Sequence, residues 1–210
     1  MTVSFGLRVP TVGTPQETAE YAARVQGAGL DFLWMPDTPL LAGRWRDVYG
    51  HLMCAAMSTQ TLRLGPGVTN PLTRHPVTTA SAILTLDEAS HGRADLVAGT
   101  GYSSAYIIGR KAATMATMRQ ATLLWRSIFQ GQATQLGGLE VTLPTPHPRL
   151  PIYLAATGPK MLEMAGEIAD RVHALAALDI DAIWWRDEAS YTRPDALLRG
   201  LEKEVFPRLR

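Results

Sequence analysis

The stretch that decides the fold is Leu64-Gly65-Pro66-Gly67-Val68-Thr69-Asn70-Pro71, followed by Thr73-Arg74-His75-Pro76. A β-branched, glycine-rich strand end runs into a turn, and Pro76 then opens an apolar helix that ends near Arg93. This succession is typical of a parallel α/β architecture in which the functional residues follow the carboxyl ends of the strands. We therefore expect the polar residues of this stretch to lie at the functional edge of a sheet.

Strand-like and helix-like segments alternate outward from this stretch. Thr14, Pro15 and Glu17 give the first helix a cap, a favoured first residue and an acidic group at the positive end of its dipole. Gly137 and Gly138 indicate a small hairpin at 136–143. The alternation predicts right-handed βαβ units and a parallel sheet of about six strands. The predicted strands are 3–9, 32–35, 62–68, 94–98, 152–156 and 171–175, and the predicted helices are 15–26, 47–59, 76–88, 111–130 and 159–169.

Length and composition exclude several classes of protein. The 210 residues fit one domain, and 46% apolar with 19% charged residues is ordinary for a folded globular chain. A formal net charge of +1 gives no reason to expect nucleic acid or a membrane surface as partner. Cys54 is the single cysteine and reads as a small buried hydrophobe. Because the sequence shows neither a leader pattern nor an apolar span, we expect a cytoplasmic protein.

Three groups of residues at predicted strand ends are candidates for a site. Asp37 ends the second strand, where it could orient a substrate, bind a cofactor ring or simply cap the next segment. Two glycine-rich turns end the fourth and fifth strands, and their backbone N–H and hydroxyl groups suit a phosphate. Such turns also arise from steric need alone. The turns are Gly99-Thr100-Gly101-Tyr102-Ser103 and Thr157-Gly158-Pro159-Lys160.

The run Arg74-His75-Pro76 has two interpretations. It could hold an anion or move a proton, but a histidine just before a helix-opening proline more often fixes the turn. The five histidines show no metal-ligand spacing, so we expect no metal site. The sequence also has no serine elbow, no Walker loop and no dinucleotide-type glycine motif.

Taken together, these residues resemble the bacterial luciferase-like superfamily. The chain is most similar to the branch that uses the deazaflavin coenzyme F-420, which includes methylenetetrahydromethanopterin reductases. The matching segments keep the family's order over roughly the first 178 residues. They are 67–71, 73–76, the helix end at 84–93, 158–160 and 165–170.

The resemblance implies a TIM-barrel-like (β/α)8 fold that holds its cofactor at the carboxyl ends of the strands. It implies a cis peptide bond between Gly67 and Val68, and it places Asp37, Thr69 and Asn70 near the cofactor ring. It also implies that the phosphate and ribityl side of the cofactor is lined by Gly99, Gly101, Tyr102 and Ser103, together with Thr157, Gly158, Pro159 and Lys160.

Two positions depart from the pattern of the deazaflavin enzymes. Many of them have a histidine after the strand-two aspartate and an acidic residue after the strand-four glycines, where this chain has Thr38 and Tyr102. Hydride transfer itself needs only a bound cofactor and a positioned substrate. Our catalytic candidates are therefore Asp37, Tyr102 and His75, and the general acid is left open among Tyr102, His75 and a bound water.

The chain is also shorter than the family's usual barrel. Relatives continue for about a hundred more residues, against the roughly 250 residues of a typical barrel. We expect residues 1–178 to form a truncated barrel core and 179–210 a linker and C-terminal helix that complete the same domain. The open edge could be closed by a partner subunit, by Trp184 and Trp185, or not at all.

The leading functional hypothesis is an oxidoreductase that moves hydride between coenzyme F-420 and a small organic substrate. One alternative is an FMN-dependent luciferase-like monooxygenase, and another is a shortened, non-catalytic or cofactor-free relative. We also expect a homodimer. Small and apolar residues of the second and third helices could form its interface or could instead face the sheet: Ala55, Ala56, Met57, Ala80 and Ala82.

Overall fold

The computed structural model describes residues 4–11, 13–43 and 45–174. Within them, six strands form one sheet in which all neighbours run parallel. A separate antiparallel hairpin consists of β5 (Thr134–Leu136) and β6 (Leu139–Val141). In sheet order the six strands are β1 (Gly6–Arg8), β2 (Phe32–Met35), β3 (Arg63–Thr69), β4 (Leu96–Ala98), β7 (Ile152–Ala156) and β8 (Arg171–Ala174).

Helices connect the strands, and local side chains fix where several of them begin. Thr14 and Glu17 form a reciprocal capping box at the first helix, as the sequence predicts. Asp47 caps the second helix through the N–H groups of Tyr49 and Gly50, and Thr114 caps the fifth. The helices are α1 (Pro15–Gly27), α2 (Val48–Ser58), α3 (Pro76–Ala89), α4 (Tyr102–Ile107), α5 (Met115–Phe129) and α6 (Pro159–Ile168).

The two faces of the sheet carry different side chains. Alternate strand residues such as Leu33 and Leu64 pack with the helices in the main hydrophobic core. The opposite face carries a smaller cluster of Trp34, Val97 and Tyr153, with Phe32 and Val68 packed against it. Because side chains alternate between faces along a strand, each strand contributes to both layers.

An ion pair between a buried aspartate and a partly exposed arginine lies on that opposite face, at the amino ends of the strands. Asp95 pairs with Arg63 and accepts a 3.0 Å hydrogen bond from Nε1 of Trp34. Burial raises the pKa of Asp95, and the bonds from Arg63 and Trp34 offset part of that effect. The side chains at this end of the sheet therefore stabilise the fold, and the carboxyl ends are where a functional site is expected.

The six-strand parallel sheet and the hairpin confirm the predicted organisation, with shifted boundaries. Among the described residues of the predicted strand 3–9, only Gly6–Arg8 form β1, and the hairpin lies two residues earlier than predicted. The predicted helix 111–130 begins only at Met115, because Thr114 ends the preceding loop with its cap. The short helix α4 was not predicted. None of the described helices has the length and apolar character needed to cross a membrane. Trp184, Trp185 and the segment 179–210 lie outside the described residues.

Candidate functional site

Asp37 lies two residues beyond β2, at the carboxyl edge of the sheet. Its side chain is buried, and its Oδ2 accepts a 2.8 Å hydrogen bond from the hydroxyl of Thr69 at the end of β3. Burial raises the pKa of the Asp37 carboxyl, while the bond from Thr69 and the nearby charge of Arg74 lower it in part. A buried carboxyl with a shifted pKa at a strand end is typical of functional sites.

Arg74 connects this carboxyl to the start of α2. Its Nη2 forms an ion pair with Asp47, and its Nε lies 4.0 Å from Oδ2 of Asp37. The guanidinium also lies over the ring of Tyr49, 4.6 Å from the ring centroid. Burial and the neighbouring carboxyl of Asp37 raise the pKa of the Tyr49 hydroxyl, so the phenol stays protonated. The cluster thus joins β2, β3 and α2 through charged and aromatic contacts.

A cavity of about 330 Å³ opens beside this cluster. This volume is within the range of pockets that hold small organic molecules. The cavity lies between the loop after β2 and the turn after β3. Its lining residues are Asp37, Pro39, Leu40, Trp45, Arg46, Asp47, Thr73 and Arg74.

Asn70 organises the turn after β3. Its amide donates to the hydroxyls of Thr73 and Ser104, each at 2.9 Å, and its Oδ1 accepts from the N–H groups of Leu72 and Thr73. Because both amide hydrogens and both lone pairs are used, Asn70 holds α4 and the turn in place and has no spare capacity for a ligand.

The glycines that follow β4 are explained largely by packing against this turn. Gly101 has a φ of 73°, and a Cβ atom built on it would lie 2.5 Å from Cγ of Asn70. On the opposite sheet face, a Cβ on Gly99 would lie 3.1 Å from Cγ2 of Val68 and 3.4 Å from Cβ of Ala155. Because Gly99 has no side chain, the side chains of Val68 and Ala155 are not covered at this point.

Val68 faces the opposite side of the sheet from Asp37. The Gly67–Val68 peptide bond is cis, as the resemblance implies. A Cβ atom on Gly67 would lie 2.7 Å from Cβ of Trp34, so only glycine fits at this point of β3. Val68 packs with the cluster of Trp34, Val97 and Tyr153. The carboxyl edge therefore offers two environments: an apolar surface around Val68 and a charged cluster around Asp37.

The other sequence candidates lie apart from the Asp37 cluster. His75 caps α3, with its Nδ1 accepting from the N–H of Val77 at 3.3 Å, which agrees with the structural interpretation of this residue. Tyr102 is 82% exposed at the start of α4, and Ser103 beside it is exposed as well. The contacts of these residues do not connect them to Asp37 in the described part of the chain, and their catalytic role stays a prediction.

The turn after β7 leads directly into α6. Gly158 occupies the cap position without contributing a side chain, and Pro159 is the first helical residue. Thr157, Pro159 and Lys160 are exposed, and a Cβ atom on Gly158 would meet no atom within 4 Å. The amino end of α6 is thus open, with a positive side chain in its first turn.

The sequence alone did not identify Asp47, Tyr49 or the cavity. Asp47 was the first residue of a predicted helix, but its contact with Arg74 spans 27 residues. Arg74 was a candidate anion ligand, and in the structure its guanidinium pairs with Asp47 and lies close to Asp37. No local pattern predicts such long-range pairing.

The sequence of this chain matches the model of the luciferase-like monooxygenase family over residues 2–188. The chain belongs to this family. The match confirms the resemblance inferred from the strand-end motifs, and it covers all the described residues.

Several members of the family are similar over most of this chain. The 5,10-methylenetetrahydromethanopterin reductase of Methanolobus tindarius is 33% identical over 179 residues, which are 81% of this chain and 53% of that protein. The enzyme of the same name from Archaeoglobus fulgidus is 36% identical over 180 residues, covering 81% and 52% respectively. The chain thus spans about half the length of the curated relatives it matches.

The fold agrees with a solved member of the family. The coenzyme F-420-dependent tetrahydromethanopterin reductase from Methanopyrus kandleri superposes with a TM-score of 0.69 at 28% identity, covering 83% of this chain and 56% of that one. The superposition confirms the expected α/β fold of TIM-barrel type in shortened form.

Proposed function

We propose that this family member is an oxidoreductase that transfers hydride between coenzyme F-420 and a small organic substrate. The observation that carries the proposal is an apolar surface at the carboxyl ends of β3, β4 and β7, which stays uncovered because Gly99 has no side chain. Val68, Gly99 and Ala155 meet there, next to the Trp34 cluster. The names of the two curated reductases and of the F-420-dependent solved relative support the same cofactor.

The residues at this surface fit a deazaflavin ring. A planar ring system needs a flat, apolar contact surface, and the absence of a side chain at Gly99 leaves the neighbouring side chains of Val68 and Ala155 uncovered at this point. Both flanking side chains are partly exposed, so they have surface available for contact. The bound coenzyme would supply the hydride chemistry, and the protein would supply binding, orientation and exclusion of water.

The amino end of α6 fits the phosphate part of the coenzyme. It follows β7, the strand that carries Ala155, and it presents backbone N–H groups and the positive end of the helix dipole. Lys160 adds a positive charge in the first turn. Gly158 leaves space for an anion to approach the backbone.

Asp37 is proposed to hold a part of the substrate that extends over the carboxyl edge of the sheet, from the ring surface around Val68 to the cavity. Its buried carboxyl accepts from Thr69 through Oδ2 and lines the cavity. In that position it would orient the substrate by accepting a hydrogen bond from a hydroxyl or N–H group. Thr69 and Arg74 would fix its orientation and favour its ionised form.

The proposal is tested first by titrating the purified protein with coenzyme F-420 and, separately, with FMN, while following fluorescence. We expect saturable F-420 binding in the micromolar range and much weaker FMN binding. Preferential FMN binding would support the monooxygenase alternative. Failure of both to bind would overturn the proposal and favour a non-catalytic or cofactor-free relative.

A pair of glycine variants locates the phosphate site. A Cβ atom meets no neighbour within 4 Å at Gly158 or at Gly166, so Gly158→Ala and Gly166→Ala are both sterically permitted. Only Gly158→Ala places a methyl group over the first-turn N–H groups of α6. We expect it to weaken F-420 binding by about tenfold, the loss of roughly one charge-assisted hydrogen bond, and Gly166→Ala to leave binding unchanged.

We further propose that the protein acts in the cytoplasm as a homodimer. Ala55, Ala56 and Ala80 belong to the protein's own core, so they are not the interface. Met57 on α2 is 76% exposed and supports a contact on this side of the helix layer. Sedimentation of the wild type and of Met57→Glu tests the dimer: a monomeric wild type would contradict it.

A further inference from the structure

We infer that the cavity beside Asp37 selects an uncharged, partly apolar part of the substrate that carries a hydroxyl or N–H donor, and that it rejects phosphates and carboxylates. The inference rests on the proposed function, because it assigns the cavity to the molecule that exchanges hydride. It concerns binding only. It follows from the charged residues that line the cavity, from its apolar lining residues and from the Oδ1 atom of Asp37 as a hydrogen-bond acceptor.

The charges that line the cavity balance one another. Two carboxylates, Asp37 and Asp47, face two guanidiniums, Arg46 and Arg74. Since opposite charges at these separations neutralise one another, an entering anion would give the cavity a net negative charge. A desolvated anion without a cation to pair with is strongly unfavourable.

Arg74 is engaged mainly by the protein. Its Nη2 is paired with Asp47 and its guanidinium is stacked on Tyr49. Its Nε has no hydrogen-bond partner among the described residues, but it lies 4.0 Å from Oδ2 of Asp37. An anion at Nη2 would have to replace Asp47, which also caps α2, and an anion at Nε would lie beside the carboxyl of Asp37. Arg46 donates from Nη1 to the carbonyl of Gly43 at 3.2 Å.

The remaining walls are apolar. Pro39, Leu40 and the indole of Trp45 line the cavity opposite the charged residues. Trp45 is buried, while Leu40 is 65% exposed at the rim. Such walls favour an aliphatic or aromatic group, because its apolar surface is removed from water on binding.

Asp37 provides the polar contact. Its Oδ2 is occupied by Thr69, whereas its Oδ1 has no hydrogen-bond partner among the residues that the structure describes. A ligand hydroxyl or N–H can donate to this oxygen. A ligand carboxylate or phosphate has only acceptors to offer at neutral pH and would be repelled.

The experiment compares two probes with the same ring on the full chain without cofactor: cyclohexanol and cyclohexanecarboxylate. Binding is followed by ¹⁹F NMR of protein labelled with 5-fluorotryptophan, with the Trp45 resonance assigned from Trp45→Phe. We expect cyclohexanol to shift this resonance saturably and the carboxylate to bind at least tenfold more weakly, a difference expected from one uncompensated charge. Equal or tighter binding of the carboxylate, or no shift with cyclohexanol, would overturn the inference.

Asp47→Asn tests the charge balance directly. Asparagine preserves the cap of α2, because its side-chain oxygen can still accept from Tyr49 and Gly50, but it removes one negative charge. We expect this variant to bind the carboxylate about tenfold more tightly than the wild type does. Glu20→Gln removes the same charge from the exposed side of α1 and serves as the control. An unchanged carboxylate affinity in Asp47→Asn would contradict the balance of charges.

F-420 binding is measured in parallel, so that a failure of this inference can be distinguished from a failure of the proposed function. Loss of selectivity for cyclohexanol while F-420 still binds would overturn this inference alone. Selectivity for cyclohexanol without any F-420 binding would support the cavity's chemistry and overturn the proposed redox function.

Discussion

The hydroxyl of Thr69 donates a 2.8 Å hydrogen bond to the carboxyl of Asp37, which joins the ends of two neighbouring strands. Both side chains are buried, and they lie on the helix-covered side of the sheet, close to Tyr49 and Arg74. The bond uses one oxygen of Asp37 and leaves the other for the cavity. The same contact therefore supports the fold and orients the candidate functional group.

Thr69→Val removes this bond while preserving the shape of the side chain. We expect the free energy of unfolding to fall by about 1–3 kcal/mol, because a buried carboxylate loses a hydrogen-bond donor. Urea unfolding measures the loss. Thr69→Ser retains the hydroxyl and should recover most of it. If valine and serine were equally destabilising, packing of the threonine methyl group would be responsible instead.

Asp37→Asn should change the pH dependence of stability. Burial raises the pKa of Asp37 above its ordinary value of 3.8, so the folded state holds the proton more tightly than the unfolded chain does. The stabilising contribution of protonated Asp37 is present below that ordinary value and is lost as pH rises through the raised pKa. Relative to the wild type, Asp37→Asn should thus gain stability as pH rises from about 4 towards neutrality.

Urea unfolding of both proteins across this range measures the difference. The charged and titratable groups that face Asp37 are Arg74, Asp47 and Tyr49, and they are unchanged in the variant. A difference in unfolding free energy that stays constant with pH would show that Asp37 titrates as it does in the unfolded chain.

Gly101→Ala should be much more destabilising than Gly109→Ala. Both glycines have a positive φ, 73° and 69°, so each substitution costs about 1–2 kcal/mol of backbone strain. A Cβ atom at Gly101 also meets Asn70 at 2.5 Å, whereas at Gly109 it meets nothing within 4 Å. We expect a further cost of about 1–3 kcal/mol at Gly101. Thermal or urea unfolding checks the comparison, and equal losses would mean that Asn70 moves aside freely.

Arg93→Met should destabilise the fold at the edge opposite the site. Its guanidinium donates to the carbonyls of Ala56, Thr59 and Ser90, which ties the ends of α2 and α3 together. Methionine fills similar space but leaves these partly buried acceptors unpaired, so we expect a loss of about 1–3 kcal/mol. Far-UV circular dichroism during urea unfolding measures it. Arg93→Lys should recover only part of the loss, since lysine cannot reproduce the planar donor geometry.

Local sequence signals predicted the parts of the fold that depend on neighbouring residues. The capping box of Thr14 and Glu17 and the glycine pair of the hairpin are such features. The helix α4 was missed because it has only six residues, is capped by a glycine and leaves Tyr102 exposed, so it shows no apolar periodicity.

The Asp37 cluster could be predicted only in part. The strand-end position of Asp37 indicated a site, but its bond to Thr69 spans 32 residues and depends on the pairing of β2 with β3. The saturation of Asn70 depends equally on the position of Ser104 in α4. These contacts follow from the assembled sheet, and no sequence spacing within one segment encodes them.

The order of the strands has a consequence for how the chain folds as it is made. From β1 to β4 each strand pairs with the one synthesised just before it, and β7 and β8 extend the same edge after the hairpin. Each new βα unit can therefore pack against strands that have already been synthesised, as it leaves the ribosome, without waiting for a distant partner. The carboxyl edge is assembled in the same direction, so that the Asp37–Thr69 contact can form while residues after β3 are still being translated.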